Sequence, residues 1–205
     1  PFKGARPSKT KAQAVAAPPY DVVSSSEARA YASGKPDCFF RVSRPEVDLP
    51  PQVDEHADQV YDKGRENLAA FLKAGTLAVD PEPRFYVYRQ RMGDHVQVGL
   101  VAVASVDEYD QSLIKKHELT RADKEDDRTR HIDTLGMHDE PVFLTYQAVP
   151  EIDRRVAEVM QGAPAYDFVS PDGVGHTLWL APLAVRDALV RHFAAVDTLY
   201  VADGH

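Results

Sequence analysis

Between residues 53 and 106 the spacing of apolar side chains switches from helical to alternating, so the chain must combine helices with sheet. Ala57, Val60, Tyr61, Leu68, Phe71 and Leu72 recur at helical intervals, which predicts a helix over 53–74 that Gly75 stops. FYVYR (85–89) and VQVGLVAVASV (96–106), separated by the turn-forming MGDH (92–95), predict a β-hairpin. Ser24 to Ser26 followed by Glu27 is a capping-box start for a helix that ends near Ser33, before Gly34. Short strands are expected at 20–23, 39–42, 141–149, 174–180 and 199–202. Helices are marked by Ile152, Val156 and Val159 and by Val185, Leu189, Val190 and Phe193. The two patterns are mixed rather than strictly alternating. The expected class is therefore α+β (mixed α/β), a mixed sheet with flanking helices, and not a doubly wound parallel sheet.

A length of 205 residues supports one α/β domain over 1–205. The net charge of −8 argues against general nucleic-acid or anionic-membrane binding, which needs a basic surface. Cys38 is the one cysteine, so neither a disulfide framework nor a cysteine-based zinc cluster can form, and a reducing cytoplasm fits. No apolar run is long enough to cross a bilayer. A chain that opens on Pro1 and stops at LYVADGH, directly after a strand, reads as a fragment or a processed chain.

The segment KKHELTRADKEDDRTRH (115–131) carries the densest charge. Thr120 followed by Asp123 resembles a helix N-cap, and a helix over 121–135 places His117, Arg121, Lys124, Arg128 and His131 at intervals of four, three, four and three. That puts a basic stripe on one face. A solvated helix laced with ion pairs would explain the charge, each pair contributing ~0.3–0.5 kcal/mol. Against it, the apolar positions are few and the signs are segregated. A basic face suits phosphate or carboxylate, for which arginine offers two-pronged hydrogen bonds.

ADGH (202–205) follows the last expected strand, with Asp203 as an acid, Gly204 allowing close backbone approach and His205 as base or ligand. An ordinary turn is the plainer reading, since Asp-Gly is a common turn pair. Asp21 lies in APPYDVVS, at an exposed edge or else buried with a partner. His176 alternates with apolar neighbours and reads as structural, and Cys38 beside Phe39 and Phe40 reads as a core thiol. Arg44, Glu46 and Asp48 of the proline-bearing loop form a polar rim with no specific chemistry. The phosphate-loop, dinucleotide, nucleophile-elbow and HExxH patterns are all missing.

PFKGARP, APPYDVVS, RPEVDLP, KKHELTRADKEDDR, PVFLTY, HTLWL and LYVADGH occur in this order. Together they resemble a bacterial and archaeal family known as the domain of unknown function ten-fifteen, over essentially the whole chain. Family members are about twice this length, and their ADGH motif continues with a second histidine and an arginine before opening a helix. The resemblance is thus to the N-terminal half, with a strand–turn–helix phosphate motif truncated at its C-terminal end. The motif is similar to that of the ParB/sulfiredoxin-like group, which cradles nucleotide phosphates and includes kinases of free serine.

Three functions follow as expectations. The first is nucleotide-dependent phosphoryl transfer to a small hydroxyl substrate, using ATP or ADP and Mg²⁺. Arg121, Lys124, Arg128 and Gly204 would then hold phosphates, Asp203 or Glu118 would bind metal or act as base, and His205 would sit at the phosphate turn. The second is a nucleotide-sensing module without turnover, and the third a metal-dependent hydrolase built from His117, Glu118, Asp203 and His205. The expected partner is a small-molecule substrate, and a homo-oligomer is compatible with all three.

Overall fold

The capping box forms as expected. Ser24 Oγ accepts the backbone N–H of Glu27, whose carboxylate accepts the backbone N–H of Ser24 at 2.8 Å, and a helix runs from Ser25 to Ala32. This is seen in a computed structural model that describes residues 1–203. In chain order the strands are β1 (Ala5–Pro7), β2 (Leu77–Val79), β3 (Tyr86–Met92), β4 (His95–Val101), β5 (Ile114–Lys115), β6 (Phe143–Thr145), β7 (Tyr166–Val169), β8 (Gly175–Leu180) and β9 (Leu199–Asp203). The helices are α1 (Ala12–Val15), α2 (Ser25–Ala32), α3 (Phe40–Ser43), α4 (Asp58–Lys73), α5 (Val106–Asp110), α6 (Ala122–Leu135), α7 (Pro150–Met160) and α8 (Leu183–Phe193). The class is α+β. The chain divides into two compact units, one of Pro1–Ala5, Val79–Glu118 and Val142–His205, the other of Arg6–Ala78 and Leu119–Pro141.

In the first unit β4, β3, β8 and β7 form an antiparallel sheet in that order. Val87 faces Trp179 across the ladder, and both are buried with Phe85 and Ala181 against Ile152 and Val159 of α7 and Val185 and Leu189 of α8. The period of two along the strands thus meets the helical period of α7 and α8 in one apolar layer. Each large side chain buried there contributes roughly 1.5–3 kcal/mol. A second sheet places β9 between β5, which runs parallel to it, and β6, which runs antiparallel.

The second unit is mostly helical. Val15, Val42, Leu68, Phe71 and Leu77 form its core with Leu72, Leu135 and Met137 at the margin. A smaller cluster joins Ala28, Ala32, Cys38 and Phe40, and Cys38 is fully buried as a core thiol. Helices α4 and α6 pack where α4 carries Gly64. A Cβ there would stand 2.9 Å from Pro45 Cγ, 3.3 Å from the Val42 carbonyl oxygen and 3.5 Å from Leu135 Cδ2. Only a residue without a side chain admits that approach.

Several expected elements change. Residues 20–23 are not a strand: Tyr20–Val22 make a 3₁₀ turn. Arg44 Nη1 donates to the carbonyls of Tyr20 at 2.6 Å and Val23 at 3.0 Å, so a side chain satisfies the backbone that a ladder would have served. Residues 39–42 are not a strand either, because Phe40 and Val42 are buried as parts of the one-turn helix α3. The second hairpin strand stops at Val101, ahead of the capped turn of α5. The strand expected over 141–149 shrinks to Phe143–Thr145, and β7 had no alternating signal strong enough to reveal it.

Candidate functional site: an arginine–carboxylate–tyrosine–histidine cluster

Helix α6 explains the charged segment in two parts. Lys124, Arg128, His131 and Leu135 share one face by their spacing, but they differ in depth. Lys124 is exposed, Arg128 is half-buried and His131 is buried. The C-terminal end of the stripe is therefore the packing face, drawn in by Leu135 against Gly64, while its N-terminal end faces solvent. The helix starts one residue later than expected: Arg121 is the N-cap, and Thr120 donates to Glu125 at 2.6 Å instead. Arg121 is exposed and pairs with Asp123 at 2.7 Å.

The inward members are tightly partnered. His131 Nε2 lies 3.0 Å from Asp139 Oδ2, with both side chains nearly out of solvent. Arg128 donates from Nε at 3.0 Å and from Nη2 at 2.8 Å to Asp127 Oδ2, and its guanidinium stacks 4.2 Å from the centre of the Tyr20 ring. The Nη1 of Arg128 is buried and has no hydrogen-bond partner.

Asp127 gathers two further side chains beside Arg128. Its Oδ1 accepts Tyr61 O–H at 2.6 Å and His56 Nδ1–H at 3.1 Å. Burial alone would raise the Asp127 carboxyl, but the Tyr61 hydrogen bond and the Arg128 cation outweigh it and hold it below the usual carboxylate range. The same contact is felt by Tyr61: burial, and then its bond to Asp127, push its phenol to about 12. Arg130 stacks over the Tyr61 ring and pairs with Asp58.

Glu140 adds a latent acid. Burial, and then the neighbouring Asp139, raise it to about 8, while Arg128 and Arg44 pull the other way and Asp21 adds to the rise. At neutral pH this carboxyl is largely protonated, so it can donate a hydrogen bond and does not cancel the charge of Arg128.

The rim expected from Arg44, Glu46 and Asp48 is a scaffold for this cluster. Arg44 bonds Glu46 at 2.7 Å, Ser25 Oγ at 2.7 Å and the Tyr20 carbonyl, so it places the ring on which Arg128 lies. Asp48 pairs with Arg41 and accepts Asn67 at 2.9 Å. A cleft of about 280 Å³ is lined by Ser25, Ser26, Arg29, Glu46, Pro51, Val53 and Glu55.

His117, Glu118 and Asp203 lie in the first unit. His117 Nδ1 donates to the Val201 carbonyl at 3.1 Å, which ties it to the strand that carries Asp203, and its Nε2 lies 3.4 Å from Glu118. Asp203 is exposed and is the last residue of β9, paired with Phe143. Gly204 and His205 lie outside the described residues. Asp21 is exposed in the 3₁₀ turn. His176 is structural: its Nδ1 is 2.6 Å from Tyr88 O–H and its ring lies between those of Tyr88 and Phe168. Among the described residues no three His, Cys, Asp or Glu side chains are grouped to hold a metal ion. Sequence reasoning missed Tyr20, His56, Tyr61, Asp127 and Glu140. Tyr61 was legible only as part of an apolar stripe, and Asp127 only as one acid among several.

Fold and site together define an α+β protein whose mainly helical unit holds a half-buried arginine clamped by a carboxylate, with a tyrosine and a histidine on the carboxylate's other oxygen. The chain matches the family model described as protein of unknown function (DUF1015) over residues 1–205, and it belongs to that family. No curated protein and no solved structure matches it. No helix among the described residues is long and apolar enough to cross a membrane.

Proposed function

We propose that this protein binds the phosphates of a nucleotide along α6 and transfers a phosphoryl group to a small hydroxyl-bearing substrate. The observation that carries the reading is Arg128, one edge of whose guanidinium is clamped by Asp127 while its buried Nη1 has no acceptor. A buried donor left unmet costs about 1–3 kcal/mol, which an anion would recover. The group is already fixed by Asp127 and Tyr20, so little side-chain entropy is lost on binding. Exposed Arg121 and Lys124 lie at the N-cap and on the first turn of the same helix, where the helix dipole also favours negative charge. Neutral Glu140 removes a repulsion and offers a donor. The likeness of the chain's ADGH end to the ParB/sulfiredoxin-like motif is a fold-level reason for the same ligand class. Mg²⁺ would enter with the phosphates, because it keeps several waters and needs only one or two protein carboxylates. Catalysis would rest on positioning and on neutralising charge.

A metal-dependent hydrolase at His117, Glu118, Asp203 and His205 has less support, since no three-residue ligand group occurs among the described residues. The test is thermal unfolding with ATP, ADP and CTP, with and without Mg²⁺, followed by ³¹P NMR with serine and other small alcohols. At a hundred times Kd the expected gain is about 2.7 kcal/mol, or roughly 5–10 °C, and it disappears in R128Q and R128K. A flat melting temperature across all nucleotides refutes the reading. A shift without product leaves the binding module that senses nucleotide.

A further inference from the structure

Asp127 performs two tasks at once. Its Oδ2 accepts both donors of Arg128, and its Oδ1 accepts Tyr61 and His56. We propose that His56 is the proton acceptor for the hydroxyl substrate, aimed by Asp127; this rests on the phosphoryl-transfer reading above.

The geometry has the features such a group requires. The Asp127 side chain is 9% exposed and the His56 side chain 52%, so a buried anchor presents an accessible ring. The bond from Nδ1–H to Asp127 fixes the tautomer and leaves the lone pair on Nε2. The backbone is fixed as well, because the His56 N–H donates to Asp54 Oδ1 at 2.8 Å. Asp127 stays ionised through Tyr61 and Arg128, so it can stabilise the imidazolium that forms on proton uptake. An ordinary surface ion pair does not engage a carboxylate with three side chains at once. The arrangement also holds base and anion clamp rigidly to one another, since both are bonded to the same carboxyl group.

Glu55 extends the arrangement. Its Oε1 is 3.8 Å from His56 Nε2, beyond hydrogen-bond reach, while its Oε2 accepts Ser25 Oγ at 2.8 Å. Glu55 also lines the cleft of about 280 Å³ with Ser25, Ser26 and Arg29, which has room for a small alcohol.

In the step itself, Nε2 of His56 takes the proton of the substrate hydroxyl. The oxygen's electron pair forms the new bond to the terminal phosphorus of the nucleotide. The bond from that phosphorus to the bridging oxygen breaks, and its electrons leave with the shortened nucleotide. The proton on Nε2 then passes to solvent, which restores the neutral ring.

The experiment uses the whole chain and compares H56N and H56Q with wild type. Asn can still donate to Asp127 in place of Nδ1 but has nothing at the position of Nε2, so it separates positioning from proton transfer. Both variants should lose about 10²- to 10⁴-fold in kcat while nucleotide KM and the nucleotide-induced melting shift stay within about twofold. In wild type, ¹⁵N-resolved NMR of His56 should find its proton on Nδ1. Retention of kcat within about threefold in either variant, or a proton on Nε2, overturns the role of His56 and leaves the phosphoryl-transfer reading standing. A wild-type protein that binds nucleotide without turnover, or does neither, overturns that reading and this inference with it.

Discussion

Glu140 gives a test of the site that needs no ligand. In the folded protein its carboxyl titrates at about 8, against an ordinary value of 4.5, chiefly because it is buried and next to Asp139. Between those two values the folded chain holds a proton that the unfolded chain releases. Stability therefore falls as pH rises through this window and is level on either side of it. At about 1.36 kcal/mol per pH unit the full shift sets a ceiling of about 4–5 kcal/mol. The carboxyl is partly open to solvent, and screening reduces the realised figure to about 2 kcal/mol. Replacement by glutamine keeps the shape and removes the charge. E140Q should match wild type at pH 4, where both side chains are neutral, and exceed it by about 2 kcal/mol at pH 9, or roughly 4–8 °C in Tm. Denaturation by urea across that range measures the gap directly. An offset between E140Q and wild type that is the same at every pH would show that Glu140 is not held protonated by the fold. A second readout follows from its place near Arg128. Phosphate or nucleotide binding by wild type should weaken from pH 7 to pH 9 as the carboxylate forms, and E140Q should bind equally at both.

Two further substitutions probe the frame around the cluster. Y61F removes a 2.6 Å hydrogen bond to an ionised carboxylate and should cost about 1.5–3 kcal/mol in urea unfolding, and a loss below about 0.5 kcal/mol would mean that Asp127 re-pairs without it. G64A gains roughly 1 kcal/mol of helix propensity but drives a methyl to within 2.9 Å of Pro45, where overpacking costs about 1–3 kcal/mol. A net loss of about 1 kcal/mol is expected, and a stabilised G64A would show that Pro45 can shift away from α4 at little cost.

The parts of the fold that were legible in the sequence are those decided locally. Helix α4 and the β3–β4 hairpin follow from apolar period, and α2 from its capping box, with Gly34, Gly75 and Gly93 in the left-handed region at the stops and the turn. Segments whose backbone is satisfied from a distance were misread, and 20–23 is the clearest case, because its carbonyl partners come from Arg44. The α6 stripe was legible as a face, but depth along that face is set by Leu135 meeting Gly64, which no local pattern records. The cluster itself joins residues far apart in the chain: His56 and Asp127 are 71 positions apart, and Tyr61 and Asp127 are 66. Each looks ordinary in its own stretch, and only the packing of α4 with α6 makes them a site.

The division of the chain has a consequence for its synthesis. Residues 79–118 belong to the first unit and separate the two stretches that build the second. A ribosome therefore releases α4, which carries Tyr61, and His56 just ahead of it well before α6 emerges. During that interval the side of α4 that Leu135 covers lies bare, and the phenol and imidazole have no Asp127 to meet. A nascent chain or a proteolytic piece ending near residue 78 can wind α4, but it cannot assemble the cluster, because the aspartate that organises it has yet to be made.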